Sequence, residues 1–72
     1  MTYKLTFEFF DRNDDRTYAS LHGYSEKDVC DRAYKWALDN GDGEFSPVEM
    51  IKSNGNSWTK CELPEVGHYY EF

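Results

Sequence analysis

Four side chains in this sequence could ligate a metal or form a nucleophile and its base: Cys30, Cys61, His22 and His68. Structural zinc sites usually combine a close pair of cysteines with a close pair of histidines. Here each of the four stands alone in the sequence. A Cys/His nucleophile would also need a third, orienting residue, and none is marked. The spacing therefore predicts no metal, no cofactor and no nucleophilic centre, with Cys30 as a small buried residue.

Neighbouring carboxylates are the other candidates for chemistry, in Asp14 with Asp15 and in Asp42 with Glu44. Aspartates in such polar runs are first of all turn residues. The residues around Asp42 lack the regular oxygen-ligand spacing of a calcium loop. The sequence contains no Gly-rich phosphate loop and no GxSxG motif. We therefore predict a non-enzymatic chain.

One segment, residues 26–39, has clear helical periodicity. Its apolar stripe consists of Val29, Ala33, Trp36 and Ala37. Ser25 is expected to cap the helix, and Asp28 to reach back as in a capping box. Asn40 and Gly41 are expected to end it with a left-handed glycine. So short a helix is marginal alone, so its stripe must be covered by other elements.

Alternating apolar and polar residues predict strands at 2–11, 16–24, 47–53 and 57–63. Residues 42–44 are expected to form a loop. Asn54 and Gly55, between the last two strands, are typical of a type I′ hairpin turn. Residues 68–72 are either a short fifth strand or a tail on the surface.

These elements predict one α+β domain, residues 1–72, in the order β-β-α-β-β. It has an antiparallel sheet of four strands, or five with the C-terminal segment, and one helix packed on one face. The predicted core consists of Tyr3, Leu5, Phe7, Phe9, Ala19, Leu21, Val29, Ala33, Trp36, Ala37, Val48, Met50, Cys61 and Leu63.

The charge balance limits the partners. Eight basic and 14 acidic residues give a net charge of −6. Direct nucleic-acid binding needs a basic footprint, so it is disfavoured, as is an anionic membrane surface. The sequence shows no signal-peptide pattern and no long apolar run. We therefore expect a soluble cytoplasmic protein with reduced thiols and, if it has a partner, a basic one.

Aromatic side chains are expected on the sheet face that points away from the helix. If Tyr3 to Phe9 pack under the helix, Phe10, Tyr18, Tyr24 and Trp58 point the other way, and Tyr70 can join them. Tyrosine and tryptophan are enriched at interface hot spots, so these residues are candidate partner contacts. The alternative is that the C-terminal tail folds over this face and turns it into a second small core.

Carboxylates are segregated along the sequence. Between Lys35 and Lys52 there are four acids and no base, namely Asp39, Asp42, Glu44 and Glu49. Carboxylates without counter-charges resemble a phosphate backbone electrostatically, so they are candidates for steering the chain to a basic nucleic-acid-binding surface. A solvated acidic rim without a partner is the alternative.

The element order, the acidic balance and one strand–cap–helix run resemble those of small phage-encoded inhibitors of host machinery, including podophage inhibitors of RNA polymerase and several anti-CRISPR proteins. The run consists of Tyr24, Ser25, Glu26, Lys27 and Asp28, followed by Ala33, Tyr34, Lys35 and Trp36. The resemblance implies stoichiometric blocking of a host nucleic-acid complex in the host cytoplasm. It carries over no individual site residue.

The expected function is therefore that of a protein-binding inhibitor, monomeric or homodimeric, that blocks a complex such as a CRISPR effector or an RNA polymerase. The alternative is a small structural or regulatory module that self-associates through a sheet edge or the aromatic face.

Overall fold

The computed structural model describes residues 1–66 and Tyr70. Two strands come first, β1 (Thr2–Asp11) and β2 (Arg16–Gly23). The helix α1 (Glu26–Asn40) follows, and β3 (Gly41–Ser53) and β4 (Trp58–Cys61) complete the described elements.

The four strands form a single antiparallel sheet in the order β2-β1-β3-β4. The helix connects β2 to β3, and it packs on one face of the sheet. The predicted α+β class, with the helix between the second and third strands, is confirmed. The predicted fifth strand at 68–72 falls mostly outside the described residues.

The start of α1 is capped as the sequence predicts. The backbone N–H of Asp28 donates to Ser25 Oγ at 3.0 Å. In return, Asp28 Oδ2 accepts a hydrogen bond from the backbone N–H of Tyr24 at 2.8 Å. In the usual capping box this donor is the N–H of the N-cap residue itself, which here would be Ser25. The Asp28 carboxylate also accepts a hydrogen bond from Arg32 Nε at 3.2 Å, so it contacts residues of both the first and the second turn of the helix.

The end of α1 differs from the prediction. Gly41 has φ −165°, so it is extended and not left-handed. The chain passes directly into β3, because Gly41 already pairs with Asp11 of β1. Side chains satisfy two of the last helical carbonyls: Asn40 Nδ2 donates to Trp36 O at 2.9 Å, and Arg12 Nη2 donates to Asp39 O at 2.8 Å.

The core lies between α1 and the two central strands. Leu5, Phe7 and Phe9 alternate on β1 and are all buried. The helix contributes small side chains, which let it approach the sheet closely, and β3 adds one aromatic ring and one thioether. The remaining buried hydrophobic residues are Val29, Cys30, Ala33, Ala37, Phe45 and Met50.

Three residues predicted to be core are exposed. Trp36 is 40% exposed because α1 turns its Cys30 flank to the sheet and leaves its Trp36 flank outside. Val48 is 46% exposed, since it lies at a register shift where Phe7 pairs with Pro47 and Thr6 with Glu49. Leu63 is 48% exposed because β4 ends before it.

One predicted boundary and one predicted turn type are also wrong. β3 begins at Gly41 instead of residue 47, so residues 42–44 are part of a strand that contains a second register shift. The β3–β4 connection comprises residues 54–57, and the type I′ prediction fails because the only left-handed residue there is Gly55, with φ 110°.

Candidate functional site

The fold brings two distant acidic segments to one end of the sheet. The β1–β2 turn and the α1–β3 junction are neighbours there because Asp11 pairs with Gly41. Arg12 bridges the two through its hydrogen bond to the carbonyl of Asp39. We call the carboxylates at this end the acidic end: Asp11, Asp14, Asp15, Asp39, Asp42 and Glu44.

Two of these carboxylates hold the backbone. Asp11 Oδ1 accepts from the N–H groups of Asn13 and Asp15 at 2.9 and 3.0 Å. Asp42 Oδ1 accepts from the N–H of Glu44 at 3.0 Å. The other four carboxylates belong to exposed residues. The basic residues nearby in sequence are Arg12, Arg16 and Lys35, so the six carboxylates leave this end with an excess of negative charge.

The sheet face away from α1 adjoins the acidic end. It carries alternate residues of β1 and β2, in register with one another, which we call the open face: Lys4, Thr6, Glu8, Phe10, Arg16, Tyr18, Ser20 and His22. Phe10 is 40% exposed and Tyr18 is 58% exposed, and both lie toward the acidic end. Among the described residues the open face is therefore partly apolar where it meets the carboxylates.

Trp58 lies on the same face but at the opposite end. It pairs with Ser53, which pairs with Thr2, whereas Tyr18 pairs with Glu8. At about 3.3 Å per residue, this separates Trp58 from Tyr18 by about 20 Å along the sheet. The Trp58 ring lies 6.2 Å from that of His22. The predicted single aromatic patch is therefore two separate groups.

Tyr24 and Tyr70 do not lie on the open face, contrary to the prediction. Tyr24 lies in the β2–α1 connection, with its ring 5.9 Å from the guanidinium carbon of Arg32. Tyr70 packs on the helix side, stacked on Tyr34 at a centroid distance of 4.6 Å and edge-on to Phe45 at 5.9 Å. Where it is described, the C-terminal segment therefore covers the helix side of the core.

The four carboxylates that were predicted to steer the chain to a partner also lie in two separate places. Asp39, Asp42 and Glu44 come together at the acidic end. Glu49 pairs with Thr6 in the middle of the sheet, so it is separate from them. The sequence-based reasoning missed Asp14 and Asp15 as members of this surface, because their run indicated only a turn.

A polar contact anchors Tyr70. Its hydroxyl donates to Asp31 Oδ1, which also accepts from Lys27 Nζ. The hydrogen bond from Lys27, followed by that from Tyr70, lowers the pKa of Asp31. Burial, followed by the neighbouring Asp31 carboxylate, raises the pKa of Tyr70.

Tyr70→Phe should therefore reveal a pH-dependent contribution to stability. The lowered pKa of Asp31 means that its contribution exists above its unfolded pKa of about 3.9 and is lost as the pH falls through the folded value. The raised pKa of Tyr70 means that its contribution exists below about 10 and is lost as the pH rises further. Urea unfolding from pH 3 to 11 should show that the stability advantage of wild type over the variant is greatest between these limits and decreases below about 4 and above about 10. A constant difference would contradict this contact.

The two cysteines are separate free thiols, one buried and one partly buried. Burial, and then the charges of Glu26 and Asp31, raise the pKa of Cys30 to about 11. Cys61 lies on β4, and His22 is exposed on the open face. His68 lies outside the described residues. Within residues 1–66 and 70, no three His, Cys, Asp or Glu side chains are arranged so that they could hold a metal ion.

Thiol labelling should distinguish the two cysteines. A thiol pKa of about 11 instead of 9.0 lowers the thiolate fraction of Cys30 about 100-fold at pH 8, and burial restricts access further. Iodoacetamide should therefore modify Cys61 first and Cys30 only in denaturant, as read by peptide mass spectrometry. A Cys61→Ser variant labelled as fast as the native protein would contradict the burial of Cys30.

Comparison with protein-family models, with curated proteins and with solved structures found no match. Within the described part of the chain, α1 is too short and too polar to cross a membrane.

Proposed function

We propose that this chain is a non-enzymatic, protein-binding inhibitor that occupies a basic, nucleic-acid-binding surface of a larger complex. The observation that carries the proposal is the acidic end, where the fold joins carboxylates from two segments of the sequence. A CRISPR effector or an RNA polymerase of a phage host is the kind of target that the resemblance to phage inhibitors suggests.

The acidic end supplies the long-range attraction. Its exposed carboxylates present negative charges from two neighbouring segments, and the whole chain adds to the field with its net charge of −6. Such fields accelerate the encounter with a basic groove and are screened over about 10 Å at 0.1 M salt.

Phe10 and Tyr18 supply the short-range contact. Both rings are exposed beside the acidic end, so a partner that meets the carboxylates also reaches apolar surface that can be desolvated. Buried aromatic contacts act mainly on the dissociation rate, whereas peripheral charges act mainly on the association rate. Trp58 is too distant to belong to the same small contact area.

Charge reversal at the acidic end should distinguish the effect of its local charge on association from the effect of the net charge of the chain. The double variant Asp15→Lys with Glu44→Lys changes two exposed carboxylates at the acidic end. Purified RNA polymerase and CRISPR effector complexes, tested for DNA binding, should be inhibited by the native chain. Inhibition should decline between 50 and 500 mM salt, and the association rate of the double variant should fall about tenfold or more.

The matched control is Glu49→Lys with Glu62→Lys, which changes the net charge equally but away from the acidic end. It should associate with the same target at close to the native rate. Equal slowing by both variants would show that net charge alone acts and would remove the acidic end from the proposal. Binding that is insensitive to salt would contradict nucleic-acid mimicry altogether.

The alternative, a self-associating module, has one structural feature in its favour, since β2 is an eight-residue strand at the edge of the sheet. Sedimentation at several concentrations, together with the inhibition assay, decides between the two. A concentration-dependent dimer that inhibits neither complex would favour this module over the inhibitor.

A further inference from the structure

A groove of about 380 Å³ runs between α1 and β2. Its helix side is formed by four residues spaced i, i+3, i+4 and i+7, which places them on one stripe. The groove is lined by Arg32, Lys35, Trp36 and Asp39 from the helix and by Leu21 and His22 from the strand.

The groove exists because α1 covers the sheet unevenly. Among the described residues, those of the buried core all belong to α1, β1 and β3, so the helix is seated over the two central strands. On β2, Ala19 and Leu21 face the helix but are only partly buried. The side chain of Trp36, which is 40% exposed, lines the helix side of the groove above these two residues.

The floor of the groove ends at a free sheet edge. β2 is the outermost strand, and along its eight residues the backbone groups of alternate positions point away from β1. No described segment forms a strand against this edge. An extended chain added there would continue the ladder, and alternate side chains would point into the groove.

The charges of the groove indicate what such a chain carries. Arg32 and Lys35 line it, while the single carboxylate, Asp39, lies one turn further along the helix. Arg32 uses Nε for Asp28, which leaves the other guanidinium N–H groups for an acceptor. The basic half therefore suits an acidic side chain, and the surface between Trp36 and Leu21 suits an apolar one.

A second copy of this chain fits the groove poorly. It would have to supply the added strand from one of its two edge strands, and neither β2 (Arg16–Gly23) nor β4 (Trp58–Cys61) contains an acidic residue to meet Arg32 and Lys35. Two copies would also bring together chains of net charge −6.

We propose that the β2–α1 groove binds an extended peptide segment of another protein, which adds as a strand to the free edge of β2. The segment places an apolar side chain between Trp36 and Leu21 and an acidic side chain beside Arg32 and Lys35. This peptide site is additional to the proposed inhibitory surface, with which it shares Asp39 and the strand β2 that carries Tyr18. Either can fail without the other.

A defined peptide library tests the proposal. Capped octapeptides have valine or threonine at every second position, and the other positions vary over Glu, Lys, Leu and Ser. Selection on the native chain should enrich Leu and Glu at alternating positions and deplete Lys. The amide signals of Arg16–Gly23 and the indole signal of Trp36 should shift when the selected peptide is added. Selection that enriches no peptide, or that favours Lys, would overturn the proposal.

Variants then separate charge from packing. Lys35→Glu and Trp36→Ala should each weaken the selected peptide by at least about tenfold, as hot-spot contacts do. Lys60→Glu is the charge-matched control, because Lys60 is an exposed base on β4, at the other edge of the sheet. It should leave the affinity unchanged. Because Trp36 and Lys35 are both exposed, neither change should unfold the domain, and circular dichroism checks this. Equal effects of Lys35→Glu and Lys60→Glu would contradict a site in the groove.

Strand addition itself has a separate signature. N-methylation of the selected peptide, one residue at a time, should abolish binding at every second position only, because only alternate N–H groups face β2. Amide exchange at alternate residues of β2 should slow in the complex. Tolerance of every N-methyl group, or unchanged exchange along β2, would show a ligand in the groove without an added strand and would overturn the proposal.

Discussion

Replacing Phe7 by alanine should remove most of the stability of this domain. Phe7 is fully buried at the centre of the sheet, with ring centroids 5.9 Å from Phe9 and 5.7 Å from Phe45. The truncation leaves a cavity that these neighbours can fill only partly, and such changes cost about 3–5 kcal/mol. Urea unfolding, monitored by tryptophan fluorescence, should show either a much lower urea concentration at the midpoint of the transition or no folded baseline at all.

Phe10→Ala is the matched control, because it removes the same atoms from the same strand. Phe10 is 40% exposed on the open face, so the expected loss of unfolding free energy is below about 1 kcal/mol. If the proposed function and contact area are correct, the same variant should also bind the proposed target complex more weakly. Similar losses of stability for Phe7→Ala and Phe10→Ala would mean that the two faces of β1 are assigned wrongly.

Gly41→Ala should have the second-largest effect. A Cβ added at Gly41 would lie 2.1 Å from the carbonyl oxygen of Phe10 and 3.3 Å from that of Ala37. Both are backbone atoms, one in β1 between the Phe9–Phe45 and Asp11–Gly41 pairs and the other in α1, so neither can move away without displacing its strand or helix. We expect a loss near the upper end of the overpacking range of about 1–3 kcal/mol.

Ser46→Ala controls for substitution within β3, since Ser46 is exposed on the same strand and should change stability by less than about 0.5 kcal/mol. Gly41→Ala also bears on the acidic end, because Gly41 joins Asp39 to Asp42. If the variant folds and the proposed function is correct, it should inhibit the proposed target complex more weakly than Ser46→Ala does. A Gly41→Ala variant as stable as Ser46→Ala would contradict the close approach of β3 to Phe10.

Both predictions concern the scaffold of the proposed inhibitory surface. The core around Phe7 holds the helix on the sheet, and Gly41 sets how closely the helix end follows the β1–β2 turn. The carboxylates at the acidic end are close in space only because both contacts hold. Loss of activity in these variants therefore has to be compared with their loss of stability before any side chain is assigned a binding role.

The sequence by itself determined those features that depend on near neighbours. Alternation along 2–11 and 16–23 set which side of each strand is apolar, because successive side chains point to opposite faces. Ser25 and Asp28 set the start of the helix, because their side chains bond backbone groups within the same turn.

Only the tertiary structure decided which surfaces exist. Periodicity predicted Trp36 as a buried member of the helical stripe, but the seating of α1 over β1 and β3 left Trp36 exposed and buried the Cys30 flank instead. Because Asp11 pairs with Gly41, β3 begins six residues before its predicted start. The same pairing brings carboxylates from two distant segments of the sequence to one acidic end. These outcomes depend on strand order and register, which are set by contacts between residues far apart in sequence and leave no local periodic signal.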